Sequence, residues 1–154
     1  MKYWLLKSEP GTFGIDDLAA CPGRISAWDG VRNFQARNLL RDELRKGDRA
    51  FFYHSGGPSP GIAGIVEVVR EAYPDATAFD PRHPHYDAVG TAGEPRWFAV
   101  DVRLVRKFER LVTLARLRAD ESAALRDLVI LRRGNRLSVT PVSKKDWNFI
   151  LSLV

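Results

Sequence analysis

The sequence predicts an α+β fold, a small, mixed, closed sheet with short helices at its edges. Three observations predict it: five or six strand-like runs along the chain, helical segments too short to form a layer of their own, and a return strand near the end. The 154 residues are 45% apolar and 28% charged, close to the globular average. That composition supports a real core and excludes disorder and fibrous repeats.

Residues 2–7 (KYWLLK) form an aromatic and aliphatic strand that Ser8, Glu9, Pro10 and Gly11 stop. Ile15–Ala20 makes one helical turn and Ile25–Trp28 a brief strand. Asp29 and Gly30 break the chain before a helix over residues 32–45, set by the spacing of Ala36, Leu39, Leu40 and Leu44. After Lys46, Gly47 and Asp48, Arg49–His54 and residues 62–71 read as two strands around a Gly/Pro/Ser loop. Residues 72–95, with four prolines, form a loop of unusual length, and we expect a mobile flap that closes through His85 and Tyr86. Alternation at Phe98, Val100, Val102 and Leu104 makes residues 96–108 a half-buried strand. Residues 113–118 and 123–129 read as short helices, and residues 136–139 as a final strand stopped by Pro141. Ser143 has N-cap chemistry with Asp146 three residues later, and Trp147, Ile150, Leu151 and Val154 share one face of a terminal helix. Trp4 and Trp147 are expected in the core. No repeat or linker interrupts the chain, so one domain, 1–154, is expected.

The charge is +5, and it is uneven. Residues 1–77 carry 10 basic and 10 acidic groups, whereas residues 78–154 carry 14 and 9. Eighteen of the basic residues are Arg, which forks onto phosphates, although a GC-rich genome also enriches Arg. A nucleic-acid partner is favoured. One cysteine, Cys21, excludes an internal disulfide and fits a reducing compartment. No stretch is long and apolar enough to span a membrane, and no leader is evident, so the cytosol, or a nucleus in a eukaryote, is expected.

Phosphate-loop, dinucleotide, nucleophile-elbow and zinc-pair motifs are all missing. His83 and His85 alternate in a proline-stiffened loop, where a surface role is better supported than a metal. Lys7 beside Glu9 has the chemistry of a base and its partner, but also of an ordinary surface ion pair. No catalytic residue, cofactor or metal is expected.

Four strings stand in one order: YWLLKSEP from Tyr3, WDGVRNFQARN from Trp28, FFYHS from Phe51 and PGIAG from Pro60. Over essentially its whole length the chain resembles the EVE domain family. The resemblance implies a PUA-like fold, a small mixed β-barrel (pseudo-barrel) flanked by short helices and related to the YTH readers of methylated adenine. It also implies a role in holding a modified base in an aromatic pocket, and we expect a non-enzymatic reader of DNA or RNA whose pocket has a basic rim, working as a monomer.

An extruded base needs stacking rings and a few polar groups at its edge. Trp28, Tyr53, Tyr86 and Trp97 are the available rings, with Trp97 equally suited to a strand-start core position. Lys7, His54 and Ser55 join them in the expected pocket. Asn33 offers both a donor and an acceptor to the base edge, or else a helix cap. Arg32, Arg37, Arg41 and Arg136 are the expected phosphate contacts, with Arg45, Arg132 and Arg133 nearby. Two rivals remain: a hydrolase of modified nucleosides using Lys7 and Glu9, and an RNA- or ribosome-associated adaptor without base specificity.

Overall fold

A computed structural model describes residues 1–154. Its strands are β1 (Tyr3–Ser8), β2 (Ile25–Trp28), β3 (Arg49–His54), β4 (Gly61–Pro74), β5 (Phe98–Thr113) and β6 (Val139–Val142). The helices are α1 (Pro10–Phe13), α2 (Ile15–Ala20), α3 (Phe34–Asp42), α4 (Leu114–Arg118) and α5 (Lys144–Leu151). The strands form one mixed sheet in the order β2-β5-β4-β3-β1-β6, with β1 and β3 parallel and the other pairs antiparallel. This is the expected α+β architecture, a six-stranded sheet curled into a pseudo-barrel with short helices around it.

Both faces of the sheet are covered, which explains why β1 and β3 read as continuous apolar runs rather than as alternation. Trp4, Leu6 and Phe52 join Trp28, Leu40 and Val66 in one core cluster, while Leu5, Phe51 and Tyr53 join Leu125, Trp147 and Ile150 in the other. Trp147 stacks on Phe51 at 3.9 Å between ring centroids, so α5 docks as its apolar face predicts. Its cap is also as expected, Ser143 Oγ accepting from the Asp146 N–H at 3.1 Å. Trp4 is buried and donates its indole N–H to Asp48 at 3.0 Å.

The long β4-β5 ribbon coils through four register shifts. At one of them the backbone of Arg106 packs where a side chain of Gly64 would lie, which accounts for a glycine inside a strand.

Several boundaries differ from expectation. The helix expected over residues 32–45 is only Phe34–Asp42, because Asn33 caps it by accepting from the Ala36 N–H at 3.0 Å. Both central strands run past their expected ends, β4 to Pro74 and β5 to Thr113, since each keeps pairing with the other. The helix expected over residues 123–129 is instead a chain of turns ending in a 3-10 helix at Val129–Leu131. Leu125, Leu128 and Leu131 are spaced by three, and the N–H groups of Leu128 and Leu131 each bond three residues back, the 3-10 pattern. Finally, β6 begins later than residue 136 and continues through Pro141. An edge strand accepts a proline because one of its sides has no ladder.

The loop of residues 72–95 is cross-braced. Arg96 grips Asp87 through two bonds of 2.9 and 2.7 Å, the Asp87 N–H donates to the Ala78 carbonyl at 2.9 Å, and Arg32 donates twice to the His85 carbonyl. His85 packs inward against Gly30, while Tyr86 is 44% exposed.

Candidate functional site

Because β1 and β3 are parallel and in register, with Lys7 beside Tyr53 and Ser8 beside His54, they end at one rim of the barrel. A cavity of about 720 Å³ opens at that rim. Lys7, Ser8 and Glu9 leave β1 along one wall, and Trp28, Asp29 and Gly30 leave β2 along another. His83 and His85 come from the long loop, with Phe13 of α1 and Ser138 beside β1 completing the wall.

Trp28 is only 5% exposed, with Phe52 edge-on at 5.1 Å and Phe13 edge-on at 6.5 Å. It is therefore core and cavity wall at once. After it the chain turns at Gly30, whose φ of +79° favours glycine, and the His85 ring packs where a Cβ would stand.

Asp75 holds this turn. Its carboxylate is fully buried and accepts from the Gly30 N–H at 2.8 Å, from Arg32 at 2.9 Å, and from the Thr77 N–H and hydroxyl at 2.9 and 2.6 Å. Burial pushes the Asp75 pKa up, but these hydrogen bonds outweigh it and the net direction is down.

The electrostatics of the cavity are mixed. Burial, and then the Asp75 charge, raise the pKa of Asp29, while burial lowers that of Lys7. The His85 Nδ1 is a buried polar atom without a partner in the chain. Two carboxylates, two imidazoles, a threonine and three serine hydroxyls around an indole, with Lys7 at the border, suit a flat heterocycle with donors on its edge, since Asp and Glu accept from an exocyclic amine such as that of cytosine.

Of the residues expected in the pocket, the structure brings Trp28 and Lys7 to this cavity. Tyr53 lines a separate cavity that Lys7 also borders. Asn33 spends its carbonyl on the α3 cap. His54 accepts the Ile15 N–H on Nε2 at 3.1 Å, and burial lowers its pKa. Ser55 donates its backbone N–H to Ser8 at 2.9 Å, tying the strand ends together without lining the cavity. Trp97 is buried elsewhere, stacked on Phe34 at 4.8 Å with Arg32, Arg37 and Arg96 around the pair.

The arginines expected on phosphates are largely engaged. Arg32 serves Asp75 and His85, Arg37 donates to the Arg96 carbonyl at 2.7 Å, and Arg41 pairs with Asp42 at 2.8 Å. Arg136 is exposed.

Sequence reasoning did not assign Asp29, Ser138, His83 or Phe13 to the pocket, and it did not single out Asp75. Asp29 lies inside the WDG string, directly after Trp28. Ser138 arrives because β6 returns beside β1, its carbonyl accepting the Lys7 N–H at 2.9 Å. Asp75 showed only an Asx-turn spacing to Thr77.

The EVE domain model matches residues 2–153. Human thymocyte nuclear protein 1 is 43% identical over 98% of this chain and 73% of its own length. A Pseudomonas syringae protein of known structure superposes with a TM-score of 0.91 at 46% identity, covering 98% of both chains. The human THYN1 protein, solved in complex with 5-methylcytosine-containing DNA, superposes with a TM-score of 0.93 at 42% identity, covering 99% of this chain and 97% of the other.

Proposed function

The chain belongs to the EVE domain family, and from that premise we propose that it is a non-enzymatic reader, one module over residues 1–154, taking a modified base of a nucleic-acid strand into the Trp28 cavity. The observation that carries this reading is the cavity itself. It sets an indole beside carboxylates, hydroxyls and two imidazoles, the groups a base extruded from its stack requires. A relative 42% identical to the chain was solved with 5-methylcytosine DNA, which supports 5-methylcytosine as the first base to test.

Fluorescence titration of matched oligonucleotides at fixed salt tests the reading. Burying one extra methyl contributes about 0.8 kcal/mol, so a 5-methylcytosine strand should bind about fourfold more tightly than its cytosine parent. The recovered strand should have an unchanged mass. Equal affinity for the two strands at every salt concentration, or a chemically altered strand, would overturn it.

Gly30→Ala should disturb the same site from behind. Alanine at this φ is strained and its Cβ meets the His85 ring, so a stability loss of about 1–3 kcal/mol is expected on thermal denaturation. Preference for the modified strand should shrink with it, because His85 has to move.

A further inference from the structure

We propose that the cavity on the other side of β1 is a phosphate site for the same strand, an assignment that rests on the reading of the chain as a nucleic-acid binder. Trp4 and Leu6 point into one core cluster and Leu5 into the other. By strand alternation Lys7 shares the face of Leu5 and of its neighbour Tyr53, so its side chain extends toward this second cavity of about 480 Å³ while the residue also borders the first, which the adjacent Ser8 lines.

The chemistry of the second cavity is different in kind. Lys7, Arg118, Arg132 and Arg133 face Glu121 alone, four cations against one carboxylate, a formal +3. Glu121 is held by Arg118 at 3.2 Å. Arg132 and Arg133 are exposed, and neither guanidinium has an ion-pair partner within the chain. Asn135 accepts the Leu137 N–H on Oδ1 at 3.4 Å, which leaves its Nδ2 as a buried donor with no partner. That atom and the His85 Nδ1 are the two buried side-chain polar atoms left unpaired, and they belong to residues that line the two cavities.

An assembly of guanidiniums and an ammonium offers donors with almost no acceptors. A base edge, which carries both, is poorly matched to it, whereas a phosphate is acceptor-only, anionic and suited to forked Arg donors. Since Lys7 borders both cavities, a strand whose base enters the first has its backbone beside the second.

The test uses the double variant Arg132→Gln/Arg133→Gln, whose exposed positions should leave the thermal transition normal. Affinity for 5-methylcytosine and cytosine strands should fall equally, on the order of tenfold, with preference between them intact. The slope of log K against log salt should flatten by about 0.7, the single-strand value for one phosphate. Replacing one linkage near the modified base by a neutral methylphosphonate should weaken the natural chain similarly and cost the double variant nothing more. Wild-type affinity and slope in the variant would overturn the site. Competition by inorganic phosphate without dependence on any linkage would overturn its assignment to the strand. If the natural chain does not distinguish the two strands but the Arg dependence persists, the base reading fails and the phosphate site stands.

Discussion

Asp75→Ala is expected to lower stability by about 3–5 kcal/mol, the usual consequence of removing one partner from a buried, hydrogen-bonded ion pair. Four bonds end on this carboxylate, and the alanine leaves the Gly30 N–H and the half-buried Arg32 guanidinium without it. For a chain of this size the thermal midpoint should drop by roughly 10 °C or more. The effect depends on pH with a definite sign. The folded-state pKa of Asp75 is depressed, so its stabilisation is present above the unfolded carboxyl value of about 3.9 and is lost as pH falls below it. Thermal scans of the natural chain and the variant should therefore differ most above about pH 4 and converge in more acidic buffer. Because Asp75 fixes the turn after Trp28 and, through Arg32, the His85 loop, preference for the modified strand should go with it. An alanine variant as stable as the natural chain at pH 7 would show that the network does not hold this turn.

What the sequence makes legible is local. The Trp4 and Trp147 core positions, the Ser143 cap and the strands at Ile25–Trp28 and Arg49–His54 follow from patterns within a few residues. Trp28 and Lys7 both border the first cavity. The arginines are harder. Arg37 and Arg41 stand one turn apart on α3, yet each finds a nearby acceptor, and that pairing depends on where Arg96 and Asp42 lie in space. Helical spacing shows which residues share a face and says nothing about what the face meets. Asp75 was invisible for the same reason, since three of its partners come from Gly30, Arg32 and Thr77 and two of these lie more than forty residues away. Tyr53 and Lys7 fall together on one face only once the parallel register of β1 and β3 is known. The helix expected over residues 123–129 fails in a different way, because Leu125, Leu128 and Leu131 are spaced by three and the N–H groups of Leu128 and Leu131 bond in the 3-10 pattern.

Trp28 should be the most costly ring to remove. Its burial among Phe13 and Phe52 places it in the core, so Trp28→Ala is expected to lose about 3–5 kcal/mol of stability. A stacking role adds a second loss, about 1–3 kcal/mol of affinity for the modified strand, or roughly 5- to 150-fold. The two are separable with Trp28→Phe, which keeps an apolar ring against Phe52 but presents less area to a base. That variant should fold with a modest drop in midpoint and still bind the modified strand more weakly than the natural chain, while its salt slope stays unchanged because no phosphate contact is touched. Titrations run well below the midpoint of each variant decide the matter. If Trp28→Phe binds both strands as the natural chain does, Trp28 acts only through packing, and the ring that meets the base is a different one.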